Sequence, residues 1–455
     1  MQDLATRSYW LGLDPYEPGP PLEGDLEADV AIIGGGFTGL WTAYHFLKAS
    51  PTSRVAVLEA NAVGYGASGR NGGFAMTLIH RSLATLADAL GDDGARAVHR
   101  GAVDAIKTLE RVCAEEGIDA QLMSNGCLTV SNTPPQDDLI RREVETATRL
   151  GLEGFCYLDK DQVQALVHSP TFRCAVREEH CTLVNPARLV RGLKKAVLCM
   201  GAQVFEGTPL SDLSQDGTKA VARTPRGLVR ADKAVLAANA YSAHLPQVSK
   251  YVLPFYSHIL LTEPLTDEQW QSVGWQGREG MEDRRIFLHY FRPTVDGRIL
   301  WGGRDAPFHP DGPDPRYDRD PHVYERLEET FRWTFPQLRD VKIEHAWGGP
   351  IGVTARFLPN IGWLEGKRVA YSFAYNGHGV AITCLAAMCL RDMLLERDTE
   401  YSRLPLVSLK PVNMGPRLIR DPLVRMQSRS LQKADDEGRV AKDPLLLKIF
   451  EKLGG

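Results

Sequence analysis

The chain has 455 residues, of which 43% are hydrophobic and 24% charged, and its formal net charge is -4. This length favours two domains, and the charge argues against nucleic acid or a membrane surface as a partner. The N-terminus has neither the basic nor the apolar segment of a secretion signal, and the eight scattered cysteines form no CxxC pair. We therefore expect a cytoplasmic protein with reduced thiols and no metal site.

Residues 28–59 predict a strand, a glycine turn, a helix and a second strand. The apolar run 29–33 suits a strand buried on both faces, and it leads into G-x-G-x-x-G at Gly34, Gly36 and Gly39. The second strand ends at Glu59, followed by Ala60. This order predicts that a pyrophosphate lies at the helix N-terminus, beside Phe37 and Thr38, and that Glu59 accepts hydrogen bonds from a ribose diol. The alternative is a βαβ unit that holds no ligand.

A second glycine-rich turn follows at 62–75, with Ser68, Arg70 and Asn71 embedded in it. A nicotinamide enzyme has little use for a second such loop directly after the acidic strand. FAD does, because it extends beyond the pyrophosphate to a large ring that backbone amides must cover. The alternative is a glycine-rich surface loop.

The middle of the chain predicts a second domain. Helical periodicity covers about 82–117 and 137–150, with a strand at 126–130 between them. Residues 201–242 alternate like paired strands, and the mixed aromatic and polar residues at 250–310 predict antiparallel strands with one face toward a pocket.

Glycines and apolar strands return near 345–395, where a glycine turn opens a long apolar helix at 375–395. The run 380–390 is too short to cross a bilayer. The N-terminus of such a helix can face the flavin edge where negative charge develops on reduction. The alternative is a buried helix with a glycine start, in which His378 acts only as a cap.

The predicted fold class is α/β plus β, a nucleotide-binding domain assembled from separated segments with a second domain inserted; the family resemblance given below implies a Rossmann-like FAD-binding domain and a mostly antiparallel substrate domain. The first comprises 28–80, 150–245 and 340–395; the second comprises 81–149 and 246–339. The remaining residues, 396–455, form a C-terminal extension. From 410 onward this extension carries ten Lys and Arg against six Asp and Glu, and it predicts either a helical segment along the surface or a partner contact.

Several motifs in order resemble the FAD-dependent superfamily of D-amino-acid oxidase, glycine oxidase and sarcosine oxidase, and most of all the gamma-glutamylputrescine oxidase branch. They are SYWL, GDLEADVAIIGGGFTGLWTA, GYGASGRNGG, YFRPTVDGRILWGGRD, WGGPIGVTARFLPNIG and YNGHGVAIT. The resemblance runs from about residue 8 to about residue 390 and leaves out the tail.

The resemblance implies oxidation of a C–N bond, in which a hydride passes from the carbon beside the amine to flavin N5 and the imine then hydrolyses. Positioning and electrostatics would carry most of this catalysis. Matched position by position, it also implies an FAD site, whose residues are Gly34, Gly36, Phe37, Thr38, Gly39, Glu59, Ala60, Ala67, Ser68, Arg70, Asn71, Gly72, Leu210, Ala238, Asn239, Ala240, Gly349, Gly377, His378, Gly379 and Val380.

Two departures from the family matter. The loop position where some relatives carry a covalently linked histidine is Asn71 here, so we expect non-covalent FAD. The strand that carries an oxygen-activating lysine in sarcosine oxidases reads GRILWGG and has no lysine. Oxygen and another electron acceptor therefore both remain open.

The substrate is expected to be a small amine or amino acid. Candidates for its pocket, with His378 near the flavin, are Tyr290, Arg304, Arg292, Tyr256, His258 and Tyr375. An arginine among them could clamp a substrate carboxylate; otherwise the arginines form surface ion pairs and the tyrosines lie in the core. The alternatives are a nicotinamide dehydrogenase, an oxidase of N-alkyl, cyclic or D-amino acids, and a flavin-binding partner subunit without turnover.

Overall fold

The computed structural model describes residues 4–79 and 81–439. Its strands are β1 Leu26–Ile33, β2 Val55–Leu58, β3 Phe74–Met76, β4 Cys127–Ser131, β5 Phe155–Leu158, β6 Cys174–Glu178, β7 Cys181–Leu183, β8 Gln203–Phe205, β9 Asp212–Asp216, β10 Lys219–Thr224, β11 Gly227–Leu236, β12 Leu253–Thr262, β13 Gly280–Asp283, β14 His289–Pro293, β15 Ile299–Gly303, β16 Ile343–Val353, β17 Asn360–Trp363 and β18 Val369–Phe373. Its α-helices are α1 Tyr9–Gly12, α2 Phe37–Ala49, α3 Leu83–Glu115, α4 Pro134–Arg149, α5 Lys160–Leu166, α6 Pro186–Cys199, α7 Asp267–Val273, α8 Pro321–Thr334, α9 Gly379–Leu394, α10 Pro405–Ser408 and α11 Arg417–Asp436.

The first sheet has the order β17-β18-β11-β1-β2-β8, and β10 and β9 extend it from β11. Its central strands β18, β11, β1, β2 and β8 run parallel. In β1, Val30 and Ile32 pack with the core that includes α2 and α9, whereas Ala31 and Ile33 pack on the other face. Burial on both faces explains the unbroken apolar run of this strand, and the Rossmann-like prediction is confirmed.

The turn after β1 depends on glycine at two positions. Gly34 has φ +116°, in the left-handed region that favours glycine. A Cβ atom at Gly39, inside α2, would lie 1.9 Å from the carbonyl oxygen of Gly34. Only glycine lets this helix pack so closely against its own turn.

The second sheet has the order β16-β12-β15-β14-β13-β4-β6-β5 and is mostly antiparallel, as predicted. On one face, Phe291 and Trp301 pack with Phe331 of α8. On the other, Ile259 and Leu300 pack with Trp10 of α1.

The sheets divide the chain differently from the predicted domain boundaries, which remain a prediction. β5 and β6, within 150–245, and β16, within 340–395, pair into the second sheet. α3, within 81–149, packs in the core of the first sheet through Val98, Ala102 and Leu109. The hydrogen-bond pairing of β5, β6 and β16 and the packing of the apolar face of α3 decide which sheet each element joins. The composition of a segment does not predict either.

The extension forms α11, whose Val424 packs with Leu253 and Phe255 of β12. Residues 440–455 of the predicted extension lie outside the described part of the chain. Within that part, no helix is long and apolar enough to cross a membrane, and no group of three or more His, Cys, Asp or Glu side chains could hold a metal ion.

Candidate functional site

One edge of the first sheet gathers most of the predicted cofactor residues. The parallel strands β1, β2, β11 and β18 end there, so the segments that follow them lie at the same edge. These segments are the glycine turn 34–39, Glu59, residues 238–240 and residues 374–380. Ligands of open α/β sheets bind at the carboxyl ends of the strands.

The N-cap residue of α2 provides no side-chain cap. This residue, Gly36, has no side chain, and the amide of Phe37 donates to Ser68 Oγ at 2.9 Å. A Cβ atom at Gly36 would lie 2.9 Å from the same oxygen. Thr38 is buried and its hydroxyl bonds to the Tyr375 hydroxyl at 2.8 Å. A bare helix N-terminus flanked by a serine hydroxyl fits a pyrophosphate.

Glu59 follows β2 beside this turn, and Ala60 after it is exposed. Its carboxylate accepts the amides of Gly35 at 2.8 Å and Asn61 at 2.9 Å. A carboxylate has about four acceptor sites, so two hydrogen bonds leave room for ribose hydroxyls. Burial raises the pKa of Glu59 to about 7, and hydroxyl donors would favour its charged form.

The side chain of Asn71 stabilises the second glycine turn through hydrogen bonds within it. Its Nδ2 donates to Ala67 O at 2.9 Å, and its Oδ1 accepts the Gly73 amide at 2.8 Å. Arg70, only 3% exposed, donates to Asp318 Oδ2 at 2.7 Å, and a Cβ atom at Gly349 would lie 3.4 Å from its Nε. Arg70 and Gly349 therefore lie where the two sheets meet.

The turn before α9 has an unusual backbone. Ala374, Asn376 and Gly377 have φ values of +63°, +54° and +93°. The Asn376 carboxamide accepts the Thr354 amide at 3.0 Å, and Asn239, with φ +42°, accepts the Ala374 amide at 3.0 Å. Non-glycine residues in this region are strained and occur where surrounding contacts, often at functional sites, hold them.

His378 is the N-cap of α9, ahead of Gly379 and Val380. Its Nδ1 is buried and has no hydrogen-bond partner among the described residues. Burial lowers the pKa of His378 to about 4, so the ring is neutral near pH 7. A buried polar atom without a partner, at a glycine-flanked helix start, fits a polar edge of a bound ring.

The remaining cofactor candidates take different positions. Ala238 and Ala240 belong to the 3-10 turn after β11, where Ala240 is buried. Leu210 is half-buried against the outer face of the first sheet.

Tyr290 of the second sheet contacts the second glycine turn. A Cβ atom at Gly72 would lie 2.8 Å from its ring, and one at Gly302 of β15 would lie 2.5 Å from it. The Tyr290 hydroxyl bonds to Ser257 Oγ at 2.9 Å, and burial raises its pKa to about 12. Sequence reasoning missed Ser257 and Gly302; the glycine pair that ends β15 was the available signal.

Both candidate arginines have other partners. Arg292 is buried and donates to the carbonyls of Val184 at 2.8 Å and Gly73 at 3.2 Å, and burial lowers its pKa to about 9. Arg304 donates to Asp436 of α11 at 2.9 Å and pairs with Asp305 at 3.3 Å. Arg292 thus braces the second glycine turn, and Arg304 braces the extension.

The other pocket candidates are also engaged. Tyr256 bonds to the backbone of Asp314 through its hydroxyl. His258 Nε2 lies 3.2 Å from the Tyr317 carbonyl, and burial lowers its pKa. Tyr375 bonds to Ser372 at 2.6 Å. Of the predicted pocket residues, Tyr290 and His378 are therefore the two that lie beside the glycine turns and keep hydrogen-bonding capacity for a ligand.

The parallel sheet, the uncapped glycine turn and the acid after β2 define a dinucleotide-dependent enzyme. A family model described as "FAD dependent oxidoreductase" matches residues 29–393. The chain therefore belongs to this family of FAD-dependent oxidoreductases, and FAD is its cofactor. The uncapped amides, the free acceptor sites of Glu59 and the unpartnered His378 Nδ1 all fit that group.

Curated relatives extend over nearly the whole chain. The gamma-glutamylputrescine oxidoreductase of Escherichia coli strain K12 is 30% identical over 433 residues, which cover 94% of this chain and 97% of that protein. The probable oxidoreductase OrdL of Haemophilus influenzae is 28% identical over 407 residues, covering 88% of this chain and 90% of that protein.

Solved structures share the fold. Glycine oxidase from Geobacillus kaustophilus superposes with a TM-score of 0.70 at 19% identity, covering 85% of this chain and 99% of that one. L-proline dehydrogenase from P. horikoshii gives a TM-score of 0.69 at 18% identity, covering 85% of this chain and 96% of that one.

Proposed function

We propose that this protein oxidises a C–N bond of an amine or amino acid with non-covalently bound FAD. Relatives named gamma-glutamylputrescine oxidoreductase and glycine oxidase support this class of substrate. Bound FAD would supply the acceptor for a hydride from the carbon beside the nitrogen, and the resulting imine would hydrolyse in water. The side chain of Asn71 offers no nucleophile for a covalent link, and both of its polar atoms bond within the turn.

The observation that carries the proposal is the position of Tyr290. Its ring lies between Gly72 of the second glycine turn and Gly302 of the second sheet. A substrate bound against this face would therefore lie next to the cofactor turn. The raised pKa keeps the Tyr290 hydroxyl protonated, so with Ser257 it positions the substrate through hydrogen bonds and does not act as a base.

We assign the FAD-binding role to the segments at the carboxyl edge. The turn 34–39 and Ser68 bind the pyrophosphate, Glu59 binds the ribose, and His378 meets the ring. Arg70, Asn71 and Gly349 hold the surrounding turns in place. A gamma-glutamylputrescine-like amine is the proposed substrate; N-alkyl, cyclic and D-amino acids are the alternatives. We place the enzyme in the cytoplasm, consistent with its eight free cysteines.

Anaerobic spectroscopy tests the proposal. The purified protein should be yellow, and its flavin absorbance should bleach when a polyamine conjugate, an amino acid or an N-alkyl glycine of the right kind is added. Oxygen added afterwards restores the colour rapidly in an oxidase and slowly in a dehydrogenase. A bound flavin that no member of the panel reduces, together with a co-purifying second chain, would instead indicate a partner subunit without turnover.

A further inference from the structure

A row of residues crosses the second sheet beside Tyr290. Strand register places Thr129 of β4 opposite Glu282 of β13, Glu282 opposite Tyr290 of β14, and Tyr290 opposite Gly302 of β15. Directly opposed residues of neighbouring strands share a face of the sheet. Glu282 therefore lies on the face that carries Tyr290, one strand spacing of about 4.8 Å away.

Glu282 is buried with an incomplete set of partners. It is 5% exposed, and its Oε1 accepts the Thr129 hydroxyl at 3.0 Å. Its Oε2 accepts no hydrogen bond from the described residues and is not one of their fully buried unpartnered atoms, so it remains accessible to a ligand. Burial raises the pKa of Glu282 to about 7. Burying a carboxylate costs free energy unless a cation or further hydrogen-bond donors compensate it. This side chain can therefore bind a cationic ligand.

A second glutamate lies on the same face in the neighbouring row, because Glu178 is opposite Cys127 of β4, two residues before Thr129. Glu178 of β6 accepts the hydroxyl of Thr77, and burial, with the charge of Glu282 adding to it, raises its pKa to about 8. In the described part of the chain, neither glutamate forms an ion pair with lysine or arginine. Arg284, the cation that acts on Glu282, donates to Arg81 O at 2.7 Å and Glu143 at 3.4 Å.

The segment after the second glycine turn crosses the same face of the sheet. Gly72 contacts Tyr290, Phe74 meets the Tyr290 ring edge-on at 6.0 Å, and Thr77 bonds to Glu178. Phe74 also covers Gly280 of β13, where a Cβ atom would lie 2.7 Å from its ring. The face beside the cofactor turn is thus apolar near Tyr290 and acidic farther on.

We propose that the substrate carries a second ammonium group, which Glu282 binds with Glu178 beyond it. The enzyme then acts on an aliphatic di- or polyamine, or on a conjugate that retains a second ammonium. This inference rests on the proposed C–N oxidation at the Tyr290 face. An amino acid held by its carboxylate fits poorly, because Arg292 and Arg304 are bonded elsewhere and the row beside Tyr290 is acidic.

Three four-carbon probes test it: putrescine, butylamine and gamma-aminobutyrate, each added anaerobically to the FAD-loaded enzyme. We expect putrescine to reduce the flavin with the highest kcat/KM, about 10- to 100-fold above butylamine, as a hydrogen bond between charged groups provides. Gamma-aminobutyrate should be the poorest of the three. In Glu282→Gln the preference for putrescine should collapse through a higher KM, while the butylamine rate stays within about twofold.

Glu279→Gln is the matched control, because Glu279 is a buried glutamate in the segment before β13 and lies outside the row. It should keep the wild-type preference. If Glu282→Gln fails to hold FAD, Glu178→Gln provides a second test, with spermidine in place of putrescine because its third amine extends past Glu282. An unchanged preference in either flavin-loaded variant overturns the inference, as does a wild type that reduces equally fast with butylamine. If no amine or amino acid bleaches the flavin, the proposed function fails instead.

Discussion

The pKa values of three glutamates, of which Glu282 is buried and Glu59 and Glu178 are half-buried, lie well above their usual range. Burial is the largest cause for each, raising the pKa to about 7 for Glu59 and Glu282 and to about 8 for Glu178. The folded protein therefore holds these protons more tightly than the unfolded chain, whose glutamates titrate near 4.5. Each group contributes stability below pH 4.5, and this contribution is lost as the pH rises through the folded-state pKa.

Glu178→Gln should change the pH dependence of unfolding. We expect the thermal midpoint of the wild type, without substrate, to fall relative to the variant between about pH 5 and about pH 9, because glutamine removes the carboxylate that must ionise in the interior. Calorimetric scans of both proteins across this range provide the measurement. Parallel curves would show that Glu178 does not titrate within the fold.

At the scale of elements, local patterns were the better predictors. The glycine spacing located α2 and the first turn, and periodicity located α3 and α4 to within a few residues. The pairing of β5, β6 and β16 could not be predicted, because hydrogen-bond register between distant segments leaves no local pattern. Glu282 was missed for the same reason. Its neighbours in the row, Thr129 and Tyr290, belong to other strands, so only strand pairing brings them together.

The helix α11 shows how an element predicted only as an extension takes a definite place. Asp435, near its end, accepts the amides of Ile286 at 2.9 Å and Phe287 at 2.8 Å. Asp436 pairs with Arg304 at 2.9 Å and Arg326 at 3.1 Å. Asp435 thus fastens the helix to the connection between β13 and β14, and Asp436 fastens it to the end of β15 and to α8.

Asp435→Ala should loosen this attachment. Removing an acceptor of two backbone amides should lower the free energy of local opening by about 1.5–3 kcal/mol, the range for hydrogen bonds to charged groups. Hydrogen exchange should accelerate in residues 284–288 and along α11. Asp421→Ala, near the start of the same helix, is the control and should leave the exchange of 284–288 unchanged. Equal exchange in the two variants would rule out this anchoring role.

At the scale of the whole molecule, the two sheets join at the cofactor edge. Trp347 of β16 donates to the Arg70 carbonyl at 2.8 Å, and the Arg70 guanidinium reaches Gly348 O at 3.2 Å. A Cβ atom at Gly352 of β16 would lie 2.8 Å from Asn239 Oδ1. The second sheet is thus held by the same turns to which we assign FAD binding, so cofactor binding and the joint between the sheets should be coupled.

Arg70→Met tests this coupling. Breaking a buried ion pair costs about 3–5 kcal/mol, and here it also removes donors to Gly348 and Tyr241. In the wild type, flavin release and loss of far-ultraviolet circular dichroism should coincide on heating. In Arg70→Met, flavin fluorescence should rise at a lower temperature, ahead of the loss of secondary structure, because the second glycine turn has lost its anchor.

The control is Arg54→Met, which breaks the exposed pair with Asp29 at 2.7 Å and should change neither transition measurably. Coincident transitions in Arg70→Met, even at a lowered midpoint, would show that Arg70 stabilises the fold without linking the joint to the cofactor.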